Sequence, residues 1–193
     1  MTKAINNLTD KELIRETIEN ADQRAFGELY DRYSHRVYNK CISFTNSKSE
    51  AEDLTHDIFL KVFLKLSTFK QNSSFYTWLY SITYHTCIDY TRGKSSNRQG
   101  IVLSVEEIEE QRVKAFHSNS EDDLLQMKVE YLKKVLETLE PDDKMILLMK
   151  YQDDMSISEI QEVFDIGESA AKMRLLRARE RAVAIYNILL KNN

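Results

Sequence analysis

Residues 156–190 read SISEIQEVFDIGESAAKMRLLRARERAVAIYNILL, and the organisation of the chain follows from them. Ser156-Ile157-Ser158-Glu159 has the form of a capping box, in which the hydroxyl takes the amide three residues on and the Glu reaches back. Ile157, Ile160 and Val163 then mark a short helix, and Phe164-Asp165-Ile166-Gly167 breaks it. Ala171, Leu175, Ala178, Ala182, Ile185 and Leu189 recur at spacings of four and three, so a long helix follows. Short helix, tight break and long helix make a helix-turn-helix. The long helix, from Glu168 to the end, carries six basic and two acidic residues; Tyr131 to Gly167 carries four basic and nine acidic. Positive charge is segregated onto the element that a major-groove reader would use, with Lys172, Met173, Leu176 and Arg177 lying off the apolar stripe. A basic last turn also complements a helix dipole, so charge alone leaves a bare surface helix open.

Working outward, the same helical period extends upstream through Leu125, Val129, Leu132, Val135, Leu136 and Leu139. Pro141 suits the first turn of the next helix, where its missing N–H costs nothing, and Met145, Ile146, Leu148 and Met149 continue it. Residues 93–123 hold two of the four glycines and seven acidic residues without a sustained period, and read as a flexible acidic linker. The expected division is therefore a helical domain over 1–92, a linker over 93–123 and a helical domain over 124–193.

Four helices are expected in the first domain. Thr9 caps one with Leu13, Ile14 and Ile18 on its buried face. A second begins near Gln23 and carries Phe26, Leu29, Tyr30, Tyr33, Val37, Cys41 and Phe44. Ser47 or Ser49 caps a third with the stripe Ala51, Leu54, Ile58 and Val62. Ser73 or Ser74 caps a fourth that buries Phe75, Trp78, Leu79 and Ile82. Gly and Pro together are five of 193 residues, where average usage is roughly 12%. Sandwiches and barrels need turn residues far more often, so the fold class is all-α.

No Gly-rich phosphate loop, nucleophile elbow or HExxH is present. His35, His56, His85 and His117 lie in separate segments without ligand spacing, so no metal or cofactor is expected and catalysis is not supported. Cys41 and Cys87 fall inside apolar helical patterns and read as free buried thiols of a reducing compartment, since two cysteines provide neither a disulfide scaffold nor a zinc ribbon. No run approaches a membrane span, and the polar N-terminus is not that of a signal peptide. The expected location is the cytoplasm.

Two further surfaces stand out. Tyr76, Tyr80 and Tyr84 recur at four-residue spacing, away from Phe75, Leu79 and Ile82. Core and dimer interface are both open to such a stripe, but beside Lys70, Arg92 and Lys94 an outward aromatic ridge suits bases of a single strand. On the third helix Glu52, Asp53, His56, Asp57, Lys61 and Lys65 lie outside the apolar stripe. Phe59 and Phe63 sit near that outer side, a pattern that fits a helical or coiled-coil protein partner as well as a solvated face.

Together these segments resemble the extracytoplasmic-function sigma factors of bacterial RNA polymerase, over about Asp22 to Leu190 apart from the linker. AEDLTHDIFLKVF and FKQNSSFYTWLYSITYHTCIDYTR resemble region 2 of that family, and LETLEPDDKMILLMKYQDDMSISEIQEVFDIGESAAKMRLLRARERA resembles region 4. The resemblance implies a factor that binds core polymerase and directs promoter-specific initiation. It implies that Asp53, Asp57, Phe59 and Lys61 dock on the β′ clamp helices and that the C-terminal domain meets the β flap. It implies that the Phe69–Ser74 loop, with Lys70 and Ser73, captures a flipped minus-ten base, while Tyr76, Tyr80, His85 and Asp89 line the strand-opening surface and Arg92 and Lys94 hold phosphates. Ser169, Lys172, Met173, Leu176 and Arg177 would meet the minus-thirty-five element. The linker would thread toward the active cleft, and an anti-sigma factor would hold the protein inactive. The chain departs from the family pattern at Asp165, where Gly is usual, at Ala170-Ala171, where Thr-Val is usual, and at His85, where Asn is common. One rival reading is a free-standing helix-turn-helix regulator, which would need neither the tyrosine ridge nor the third-helix surface; a second is a helical adaptor that sequesters another protein, with the basic helix as mere surface.

Overall fold

The computed structural model describes residues 5–45, 47–94 and 129–191, and among these every regular element is helical. The chain divides into two compact units, Met1–Gly93 and Lys94–Asn193. The expected linker falls largely outside the described residues, as does Leu125.

In the first unit, α1 (Asp10–Glu19), α2 (Gln23–Phe44), α3 (Lys48–Lys65) and α4 (Phe75–Lys94) each start at a capping side chain. Thr9 and Glu12 form a reciprocal capping box at α1, with the Thr9 amide 2.7 Å from the Glu12 carboxylate. Asp22 accepts from the Arg24 amide at α2, Ser47 from the Glu50 amide at α3 and Ser74 from the Thr77 amide at α4. Each satisfies an amide that the first helical turn leaves unpaired. Leu13, Leu29, Val37, Cys41, Ala51, Leu54, Ile58, Val62, Leu66, Leu79 and Ile88 form the core.

Polar contacts fasten α1 to α2. Asp10 accepts from Arg32 at 3.0 Å and from the Tyr33 hydroxyl, and Arg32 also reaches Glu28 at 2.8 Å. Burial, then the bond to Asp10, pushes the Tyr33 phenol well above its usual range. Ile18, expected on the buried face of α1, is 45% exposed. Cys41 and Cys87 are free and fully buried, and a hydrogen bond with Cys87 holds the Cys41 thiol below its ordinary range against the opposing effect of burial.

In the second unit, α5 (Val129–Thr138), α6 (Pro141–Leu147) and α7 (Ile157–Phe164) pack on the long α8 (Glu168–Lys191). All three contact it. Ala171, Ala178 and Ala182 are buried on α8, and their small side chains allow close approach; Val135, Met145, Ile146, Met149, Met155, Ile160 and Val163 complete the core. Pro141 occupies the first turn of α6. Beyond Leu147 the helix widens into a π turn over Leu148–Gln152, closed by the Asp153 amide on the Leu148 carbonyl at 3.1 Å. Leu132, expected in the apolar stripe of α5, is 37% exposed. Arg181 on α8 pairs with the buried Asp143 of α6.

Candidate nucleic-acid and polymerase interface

The helix-turn-helix is built by its two caps. At the start of α7 the Glu159 amide donates to the Ser156 hydroxyl at 3.2 Å, and the Glu159 carboxylate accepts from the Ser156 amide at 2.8 Å. At its end Asp165 takes a left-handed backbone, φ 52° and ψ 51°, and the Ile166 amide closes on the Gln161 carbonyl. The chain turns there because Asp tolerates a conformation that a β-branched residue would resist.

The first turns of α8 are consequently open to solvent. Ser169, Lys172, Met173 and Arg177 are exposed and Leu176 is half-buried. The six basic residues of α8 are not one free patch, however. Arg181 is tied to Asp143, Arg174 lies 4.9 Å from the Phe164 ring, and Lys172 pairs with Glu168 at 2.5 Å, holding that carboxyl below its usual range. Arg177 has no charged or hydrogen-bonding partner among the described residues.

In the first unit the loop before α4 presents Phe69, half-buried, with its ring 5.0 Å from Trp78 and 6.0 Å from Phe75. Lys70 is exposed, Gln71 takes a left-handed backbone and Ser73 is half-buried. The Ser74 hydroxyl is engaged in capping α4 and in a 2.8 Å bond with Thr77. Trp78, expected in the core, is half-buried.

The tyrosine ridge requires correction. Tyr80 is 1% exposed, whereas Tyr76 and Tyr84 are half-buried. Four residues advance a helix by about 400°, so the three tyrosines span only about 80° of one face, and that face turns its centre inward and its two edges toward solvent. Tyr80 therefore lies beneath the surface, edge-on to Tyr76 at 5.2 Å. His85, Asp89 and Arg92 are exposed. Nδ1 of His85 donates to the Ser81 carbonyl at 2.6 Å, which leaves Nε2 as the unengaged ring nitrogen. Of Lys94 only the backbone is described.

On α3, Asp53, Asp57 and Lys61 are exposed, and the Lys61 ammonium donates to the Thr86 hydroxyl of α4 at 3.1 Å. Phe59 is 3% exposed, packed 4.6 Å from the Tyr30 ring, and cannot present a docking surface. The large apolar side chains that α3 leaves in solvent are Leu60, Phe63 and Leu64, at 58%, 49% and 69% exposure. The signal for Leu60 and Leu64 was in the sequence. Ile58 to Leu66 has seven apolar residues in nine, more than one helix face can bury.

The family model for Sigma-70 region 2 matches residues 29–97, and that for Sigma-70 region 4 matches residues 130–181. The chain belongs to the sigma-70 family. Within it the similar proteins are extracytoplasmic-function sigma factors. The sigma-E factor of Escherichia coli K12 is 29% identical over 177 residues, covering 90% of this chain and 92% of that protein. SigW of Bacillus subtilis is 26% identical over 170 residues, covering 84% and 89%. Two solved structures share the fold. One is CnrH in complex with the cytosolic domain of CnrY, with a TM-score of 0.63 and 21% identity over 95% of this chain and 98% of the other. The second is the sigma factor RpoE in complex with the anti-sigma factor NepR from Bartonella quintana, at 0.59 and 16% over 84% and 97%. This sigma factor thus directs promoter-specific initiation, with one described unit carrying most of the region 2 match and the other the region 4 match. No helix among the described residues is long and apolar enough to cross a membrane.

Proposed function

We propose that the two units divide promoter recognition between them, and that the exposed and half-buried residues of each surface do the reading. In the first unit, Phe69, Lys70 and Ser73 receive a flipped base of the minus-ten element, with Tyr76, His85, Asp89 and Arg92 flanking the opened strand. Ser74 shapes the loop by capping α4, and Tyr80 supports Tyr76 from below. On α3, Asp53, Asp57 and Lys61 frame an apolar patch of Leu60, Phe63 and Leu64 that docks on the β′ clamp helices of core polymerase. In the second unit Ser169, Lys172, Met173, Leu176 and Arg177 enter the major groove at the minus-thirty-five element, beside the β flap. The domain division 1–92, 93–123 and 124–193 belongs to the same proposal.

The observation that carries it is the order of the two matched regions along one chain, each coinciding with a set of exposed residues of suitable chemistry. Strand opening then draws on captured bases, each worth about 1–3 kcal/mol by stacking, and needs no nucleotide hydrolysis. The chain contributes recognition; the chemistry of RNA synthesis belongs to the polymerase, in the cytoplasm. An anti-sigma factor is proposed as the negative regulator, and the apolar α3 patch gives it a surface to cover. A free-standing helix-turn-helix regulator would explain α7 and α8 but leaves the α3 patch without a role.

Run-off transcription with core polymerase on a genomic library from the same organism tests the reading. New starts sharing two spaced motifs are expected only when the chain is added. A library that yields the same transcripts with and without it would overturn the proposal.

A further inference from the structure

Arg36, on α2, is exposed, and its guanidinium carbon lies 5.2 Å from the centre of the Tyr76 ring on α4. Tyr76 also meets Tyr33, ring to ring at 6.0 Å and nearly parallel. Tyr33 lies 5.4 Å from Phe75, and Phe75 lies 6.0 Å from Phe69 of the base-capturing loop. A continuous series of rings therefore runs from the loop, across the α4–α2 junction, to a terminal cation. Most of it is half-buried, Phe75 being fully buried.

The charges nearby sharpen the point. Asp10 and Glu28 are taken up by Arg32 and Tyr33. No carboxylate among the described residues pairs with Arg36. A surface guanidinium left without an anion and held on an aromatic ring offers a flat face on which a base can stack and N–H groups for a phosphate oxygen. A lysine could supply the charge but not the plane.

We propose that the Arg36 guanidinium, backed by Tyr76, is a further single-strand subsite. It holds a nucleotide of the displaced strand adjacent to the one captured by the 69–74 loop. This rests on the reading of the first unit as the strand-opening surface and extends it onto α2, which the sequence reading did not assign to DNA.

The test uses holoenzyme assembled from the full chain and core polymerase, on a promoter recovered by run-off transcription. Permanganate reactivity of opened thymines and the lifetime of complexes on a premelted template are the readouts. Arg36→Ala and Arg36→Lys are each expected to shorten the open-complex lifetime about tenfold, the scale of one lost base stack. Affinity for core polymerase and melting temperature should stay unchanged. Tyr76→Leu should cost a similar factor and add little to Arg36→Ala, because the two groups form one shelf. Arg15→Ala, on the exposed side of α1, serves as the silent control. Wild-type behaviour of Arg36→Ala would overturn the proposal. So would full rescue by Arg36→Lys, which would make the site a point charge, or an equal loss of core affinity, which would make Arg36 a polymerase contact. Failure of the unmutated chain to open any promoter would instead strike the strand-opening reading itself.

Discussion

Two arginines four residues apart on α8 have opposite duties. Arg177 is exposed and unpartnered among the described residues, so Arg177→Ala should leave the melting temperature unchanged while promoter-dependent transcription falls roughly tenfold, the scale of one lost base-edge contact. Arg181 neutralises Asp143, which is 5% exposed. Arg181→Ala leaves that carboxylate buried alone and should cost about 1–3 kcal/mol of stability, below the full cost for a buried pair because the Arg181 side chain is partly in water. Thermal melts beside transcription assays separate the two effects; equal loss of stability in both variants would contradict the assignment. A third residue gives a pH signature. Burial and the bond to Asp10 raise the native pKa of Tyr33, so its contribution is fully present below the unfolded value of about 10 and is lost as pH rises through the native one. Tyr33→Phe should therefore destabilise the protein by about 1–2 kcal/mol at neutral pH, and the gap between variant and parent should close above pH 10. A gap that stays constant across that range would remove Tyr33 from the alkaline transition.

At the scale of elements, local rules govern the turn that aims α8. Ser156→Ala removes one half of a reciprocal cap and should cost about 1 kcal/mol. Asp165→Gly should do the reverse, raising stability by up to about 1 kcal/mol, because glycine takes the left-handed backbone without a Cβ penalty. Denaturant melts of the two variants check both signs. The legibility of the fold follows the same division. Thr9, Ser47 and Ser156 accept from amides within one helical turn, and Pro141 lacks the amide that such a turn leaves unpaired, so their roles can be read from spacing. The apolar stripe of α8 was equally readable, since Ala171, Leu175, Ala178, Ala182 and Ile185 recur at alternating steps of four and three and all five are buried. The widening of α6 into a π turn was not, because the Asp153 amide reaching the Leu148 carbonyl five residues back leaves no mark in the pattern of apolar residues. Phe59 and Tyr80 were misplaced for a related reason. Periodicity says which residues share a stripe, but on a helix with more apolar and aromatic residues than one face can hold, the neighbouring elements decide which stripe is covered. Tyr30 covers Phe59, and Leu60, Phe63 and Leu64 are left outside. Arg36 escaped notice altogether, since an arginine among polar residues of an amphipathic helix carries no signal until Tyr76 arrives from another element.

At the scale of the whole chain, charge decides how binding must occur. The protein carries 27 basic and 31 acidic residues, a net charge of −4, while affinity for DNA draws heavily on neutralised phosphates. Several of the cations on α8 are already spent on protein partners, and Lys172 must leave Glu168 before it can meet a phosphate. Duplex affinity of the free chain should accordingly be weak. Core polymerase changes the problem by fixing both units against one template, so that two modest contacts act together at high effective concentration. Gel shifts with a recovered promoter should show little complex with the chain alone at near-physiological salt, and a complex of much higher affinity once core polymerase is added. The gain should exceed what core polymerase itself achieves on the same fragment, and it should vanish when either the minus-ten or the minus-thirty-five motif is scrambled. Loss on scrambling only one motif would mean that a single unit carries recognition. Tight, selective binding by the free chain would mean that the second unit works as an autonomous duplex reader, with the apolar patch on α3 serving some other end.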